Sequence, residues 1–204
     1  MNKKPLIIIL SGTCGVGKTA LAHQLSVDLQ IMQRASFSAI TQTIKTIIPN
    51  NPIVKKWFFY DQMDINSVKL KLRREAKLVG KVIYAIADNS TIAGENYVIE
   101  GVQLLPEFLP MDKVLFFYIH VSDENKHREQ FCRPTVTRVR HVTNASYDLV
   151  KKVDMLIKQG CEGYDFFSVD NIGTIKETSK KIIQMIKKSH PNYLKEYLWY
   201  EKNS

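Results

Sequence analysis

Gly12-Thr13-Cys14-Gly15-Val16-Gly17-Lys18-Thr19 fits the pattern G-x-x-x-x-G-K-[ST] at every fixed position. An apolar pentad, Leu6-Ile7-Ile8-Ile9-Leu10, stands just before it, and Leu21, Ala22, Leu25 and Leu29 mark one helical stripe just after it. Strand, glycine loop and amphipathic helix in that order leave few folds open. The glycines let successive N–H groups turn inward around anionic oxygens. The helix starting near Thr19 aims its positive end at the same point. Gly12 to Thr19 are therefore expected to hold the phosphates of a nucleoside triphosphate. Lys18 would reach the β- and γ-phosphates, and the Thr19 hydroxyl would be a magnesium ligand. Cys14 occupies a variable position of the motif.

Four further runs read as strands: a weak one around Arg34–Phe37, then Tyr97–Ile99, Val114–Val121 and Asp165–Val169. "VLFFYIHV" is apolar almost without alternation, as strands buried on both faces of a parallel sheet are. Helical patterns lie between them. The longest runs from Asn66, a plausible cap, to about Asn89, with Val68, Leu72, Ala76, Val79, Ile83 and Ile86 on one side. Another spans Ile175–Lys188. Alternating strands and helices predict one α/β domain over 1–204, three-layered, with a mainly parallel sheet.

Composition narrows the setting. Lysine and arginine number 29 against 20 acidic residues, a formal charge of +9 that favours anionic partners. Three widely spaced cysteines form neither a disulfide framework nor a zinc pattern. Five histidines show no metal spacing; His120 is expected at a strand end and His127 on a helix surface. The apolar run after Lys3-Lys4 is too short for a signal core, and no segment approaches a membrane span. The expectation is a cytoplasmic protein with no membrane partner.

No N-K-x-D element for guanine is present, and a short chain opening on such a loop suits a kinase of small molecules or nucleosides. Three stretches, "SGTCGVGKTALAHQL", "VIEGVQLLPEFL" and "FYIHVSDENKHREQF", resemble the archaeal-type 2-phosphoglycerate kinase family of P-loop phosphotransferases. The second is similar to that family's strand ending in Glu-Gly-Val-His. The third is similar to its fourth strand and the His-Arg-Glu turn before the lid, and "SVDN" resembles its last strand. The likeness covers roughly half of the chain. It implies a P-loop kinase fold with a five-stranded parallel sheet flanked by helices and a small lid, here about 132–146. It further implies ATP and Mg2+ as cofactors, and transfer of the γ-phosphate to a hydroxyl of a small anionic acceptor. Stacking of Arg128 or Arg133 on adenine is implied as well.

The residues agree in kind. Glu100 ends the strand "YVIE", at the edge where open α/β sheets bind ligands. There it would orient magnesium or accept the acceptor's hydroxyl proton, unless it only caps the following loop. Arg128, Arg133, Arg138 and Arg140 fall within thirteen residues, a density that suits a lid closing over phosphates. Lys18, Glu100, Arg133 and Arg138 are thus the catalytic candidates, and Thr19 and Glu100 the metal candidates.

One departure concerns the acceptor. Many kinases of this kind carry an aspartate at the end of the second strand, where this chain reads "RASFSAI" with Ser36 and Ser38. A positioned base contributes about 10²–10⁴-fold, but phosphoryl transfer through a loose transition state depends more on positioning and charge neutralisation. Glu100, Asp61 and Asp64 are the stand-ins, in that order. The acceptor site is expected between segment 36–48, "WFFYDQMD" and the amino end of the long helix. Of Lys45, Lys55, Lys56, Arg73 and Arg74, either Arg73 or Arg74 is expected to grip it, with Trp57–Tyr60 as a packed cover. The tail "NYLKEYLWYEKNS" either packs back onto the domain or makes a homodimer contact. Two other readings stay open: a kinase of polynucleotide 5′-hydroxyls or nucleosides, prompted by the charge, and a nucleotide-binding regulatory module, prompted by the missing acid. The first lacks an aromatic-basic signature of nucleic-acid binding.

Overall fold

A computed structural model describes residues 5–55, 63–133 and 144–191. Strand β1 (Ile7–Ser11) is followed by the glycine loop and helix α1 (Lys18–Asp28). Then come β2 (Gln33–Ser36), α2 (Phe37–Ile47), the single turn α3 (Pro52–Lys55), the long α4 (Ile65–Ala93) and β3 (Tyr97–Gly101). A 3-10 turn (Pro106–Phe108) leads to β4 (Leu115–His120), α5 (Glu124–Cys132), α6 (Asn144–Cys161), β5 (Phe167–Asp170) and α7 (Ile175–Ser189).

The five strands form one parallel sheet in the order β2-β3-β1-β4-β5. The expected five-stranded three-layer fold is what the chain adopts, and the apolar pentad explains why. Every residue of β1 is buried, and its side chains alternate between two cores. Ile7 and Ile9, with Ile99 and Phe116, face α2, α4 and α6. Leu6, Ile8 and Leu10, with Val98 and Phe117, face α1 and α7. Burying each such side chain contributes about 1.5–3 kcal/mol. The chain first builds outward from β1 to β2 and β3, then crosses to β4 on the other side. The carboxyl end of β1 is therefore the topological switch point, the place where such sheets bind ligands.

Some details differ from expectation. Asp64, not Asn66, caps α4: its Oδ1 accepts from the backbone N–H groups of Asn66 and Ser67. An aspartate one residue before the helix holds both amides, which a residue inside the first turn does not. Ile86 is only half-buried because the buried stripe drifts to Ala87, and the helix continues to Ala93, where left-handed Gly94 ends it. The expected lid overlaps two helices, since α5 includes Cys132 and α6 opens at Asn144. Among the described residues, no helix is long and apolar enough to cross a membrane.

Candidate active site

The loop between β1 and α1 is clamped from outside. Thr13 Oγ1 donates to Val150 O on α6 at 3.1 Å. His127 Nε2 on α5 bonds Cys14 O at 2.9 Å, and Asn171 Nδ2, just past β5, bonds Val16 O at 2.9 Å. Asn171 is itself fixed by Thr178 Oγ1, which donates to its Oδ1 at 2.7 Å. These bonds decide where the amides point. Across a trans peptide the next N–H points opposite to the carbonyl, so tying the oxygens of Cys14 and Val16 outward turns the Gly15 and Gly17 amides inward. Both glycines need positive φ, 87° and 84°. A side chain at Gly17 would also start 2.5 Å from Asn171 Nδ2, and one at Gly15 2.8 Å from Phe131 Cβ.

Two of the expected site residues meet beside this loop. Thr19 Oγ1, in the first turn of α1, donates to Glu100 Oε1 at 3.2 Å. Glu100, next to last in β3, lies beside Leu10 of β1 and Ser36 of β2, with only 8 % of its surface exposed. A hydroxyl and a carboxylate oxygen are the hard donors magnesium takes, and one or two protein ligands are enough when phosphates supply others. Lys18 is buried along the loop, its Nζ donating to Thr13 O at 2.7 Å. The donor set and the cradle therefore fit a magnesium nucleoside triphosphate. Among the described residues no three His, Cys, Asp or Glu side chains form a metal cage, as such a site does not require one.

The other expected residues spread out. Arg128 is exposed on α5, its guanidinium 4.7 Å above the Tyr147 ring. Arg133 is exposed immediately after α5. Arg138, with Arg140, Lys56, Trp57–Tyr60, Asp61 and the tail from 192 onward, lies outside the described residues. Ser36 caps α2, its Oγ accepting from Ala39 N at 3.2 Å, which gives that serine a structural purpose. Asp64 is committed to its cap. The Ser67 hydroxyl and amide, and then the Asn66 amide, hold its carboxyl below the usual range, so it is a weak base. Arg73 pairs with Glu107 at 2.6 Å and lies 5.8 Å above the Phe108 ring.

His127 departs from expectation: it is buried, not on a surface, because its α5 face lies against the loop and edge-on to Tyr147. The pairing of His127 and Phe131 four residues apart was the available signal, since both share that face. Replacing His127 by leucine leaves Cys14 O without its donor and loosens the loop. The KM for ATP should rise about tenfold with kcat little changed, and His127→Gln should recover most of the loss. Equal kinetics for the leucine variant and the native protein would remove this role.

Behind the loop, Tyr118 Oη donates to Asp154 Oδ2 at 2.9 Å, while Asp154 Oδ1 is buried with no hydrogen-bond partner. Burial pushes the Asp154 carboxyl above its ordinary 3.8, against the opposing pull of the Tyr118 hydroxyl, His127, His120 and Lys18. Burial and then Asp154 also push the Cys161 thiol up, to about 12. Because the folded value is the higher one, Asp154 favours folding in acid, and that contribution is lost as pH rises through the folded value. Asp154→Asn, neutral throughout, should therefore gain in melting temperature relative to the native chain as pH rises above the ordinary carboxylate range. A difference that stays constant as pH rises contradicts the assignment.

Comparison with known proteins agrees with this geometry. The 2-phosphoglycerate kinase of Methanothermobacter thermautotrophicus is 24 % identical over 206 residues, covering 92 % of this chain and 67 % of its own. That of Pyrococcus furiosus is 24 % identical over 217 residues, 95 % of this chain and 70 % of its own. That of Methanococcus maripaludis is 21 % identical over 214 residues, 94 % and 67 %. The chain thus spans about two thirds of these relatives' length. No family model matches it. Among solved structures, a sugar kinase from a Janibacter species superposes with TM-score 0.59 at 12 % identity, covering 92 % of this chain and 98 % of that one. Gluconokinase from Sinorhizobium meliloti gives 0.56 at 13 %, covering 98 % and 99 %. Shikimate kinase from Acinetobacter baumannii, in complex with shikimate, gives 0.55 at 17 %, covering 91 % and 95 %. The fold is that of P-loop kinases, and the sequence is similar to archaeal 2-phosphoglycerate kinases over nine tenths of its length.

Proposed function

We propose that this chain is an ATP-dependent phosphotransferase that moves the γ-phosphate to a hydroxyl of a small anionic metabolite of the 2-phosphoglycerate kind. The observation that carries the reading is the Thr19–Glu100 hydrogen bond beside the clamped loop that contains Lys18. A hydroxyl and a shielded carboxylate meet beside a loop that carries an ammonium, the groups on which a metal-bound triphosphate would call. The similarity to 2-phosphoglycerate kinases supports the acceptor class.

The Gly15 and Gly17 amides take phosphate oxygens, and the Lys18 ammonium exchanges Thr13 O for oxygens of the transferring group. Thr19 and Glu100 would hold magnesium, which when bound neutralises charge on the phosphates. Arg133 and Arg138 would close over the γ-phosphate and shut out water. In its alternative role, Glu100 would take the proton of the acceptor hydroxyl in place of holding the metal. The loose transition state asks little of that base, which is why serine at position 36 is tolerated.

The test is incubation of the purified chain with γ-labelled ATP, magnesium and a panel of phosphoglycerates, glycerate, polyols, nucleosides and 5′-hydroxyl oligonucleotides. Label on a phosphoglycerate or another small acid supports the proposal. Label on oligonucleotides or nucleosides alone would replace it with the corresponding kinase, and label on nothing despite ATP binding would leave a regulatory module.

A further inference from the structure

Glu75 is fully buried on α4, on a face otherwise made of Val68, Leu72, Ala76 and Val79. A carboxylate in such a place is unfavourable unless it is paired and hydrogen-bonded. Both conditions are met. Its Oε1 accepts from Lys71 Nζ at 2.7 Å, one turn earlier on the same helix. Its Oε2 accepts from Gln103 Nε2 at 3.0 Å, and Gln103 is 1 % exposed, two residues past β3. The next residue closes the connection: Leu104 O accepts from Ser11 Oγ at 2.7 Å, directly before Gly12. Lys71, Glu75 and Gln103 are thereby braced against the start of the phosphate loop.

The direction of α4 says where Lys71 ends up. The helix feeds the amino end of β3, so it runs against the strands and its amino end lies toward their carboxyl edge. Glu75 is level with Gln103 at that edge. Lys71, four residues earlier, is ~6 Å further out along the axis, in the zone where open α/β sheets bind ligands. Its side chain remains 16 % exposed, whereas Arg73 is 50 % exposed and turned to Glu107. The pair also sits on the side of the sheet opposite to α1, the side bounded by α2 and α4. Thr19 thus lies on the α1 side of the sheet and Lys71 on the opposite side.

A salt bridge of this burial is weak evidence for stability, since apolar side chains of similar volume pack as well. A lysine held at a fixed point on the rim of the ligand edge is better explained by what it faces. We propose that Lys71 grips the anionic group of the acceptor, a phosphate or carboxylate carried next to the hydroxyl that is phosphorylated, with Glu75 and Gln103 as the positioning residues that hold it. The assignment rests on the kinase reading and names the residue that holds its anionic acceptor.

The test compares three proteins: the native chain, Lys71→Arg, and the double variant Lys71→Met/Glu75→Gln. The double change is needed because Lys71→Met alone strands a buried carboxylate and endangers folding. The double variant should raise the KM for the phosphoglycerate acceptor at least tenfold while its calorimetric affinity for magnesium-ATP stays within twofold. Lys71→Arg should keep the acceptor KM within about fivefold. An unchanged acceptor KM in the double variant overturns the proposal. Should the native chain phosphorylate nothing in the panel, the transfer reading fails by itself, and calorimetry with 2-phosphoglycerate in the presence of magnesium-ADP decides about Lys71. Binding lost in the double variant upholds it. Equal binding in both proteins, or none in the native chain, overturns it.

Discussion

Lys18→Ala lowers phosphoryl transfer by about 10²–10³-fold and leaves the protein folded. The size follows from removing one preorganised cation from the charge that develops on the transferring group, in a site sheltered from water. Lys18 is 7 % exposed, and its position is set from both sides: α1 carries its backbone and Thr13 O receives its ammonium at 2.7 Å. Losing the side chain leaves Thr13 O without this donor, at a cost of about 1–3 kcal/mol. That is tolerable against the 5–15 kcal/mol typical of a domain. Thermal melting should therefore change little while the rate collapses. Native turnover in a well-folded Lys18→Ala protein would mean that this lysine does not touch the phosphates.

Glu100→Gln is the second large effect, and it separates charge from shape. Glutamine has nearly the volume of glutamate, and its carbonyl oxygen can still accept from Thr19 Oγ1, so the β3 end beside Leu10 and Ser36 is preserved. What disappears is the negative charge beside the place proposed for magnesium. The rate should fall about 10²-fold, and the magnesium concentration for half-maximal rate should rise at least tenfold. Thr19→Ser, which keeps the hydroxyl, should stay close to native in the same titration. If Glu100→Gln needs no more magnesium than the native chain, the carboxylate does not hold the metal, and any remaining loss of rate belongs to its service as a base.

The parts of this molecule that were legible in the sequence are those written in local patterns. The pentad Leu6–Leu10 marked the central strand, the loop residues marked the switch point, and the spacing of Val68, Leu72, Ala76, Val79 and Ile83 marked the inner face of α4. Helix α2 escaped because "FSAITQTIKTI" is rich in β-branched residues, which argue weakly against a helix. Packing of Phe37, Ile40 and Ile44 overrides that preference. Helix α6 was missed because its first turn falls inside the segment read as lid. The clamps on the loop were invisible for a different reason. His127 meets Cys14 across 113 positions and Asn171 meets Val16 across 155, and neither pair leaves a periodic trace. Glu75 was hidden by its type, since a charged residue among lysines and arginines reads as solvent-facing until its partner Gln103 is known.

The most direct measurement is a calorimetric titration of the purified chain with magnesium-ATP. Saturable binding of one nucleotide per chain, weakened at least tenfold by Lys18→Ala, is the predicted result. A folded native sample that takes up no magnesium nucleoside triphosphate would contradict the phosphate cradle, and with it the metal, lid and acceptor assignments built around it.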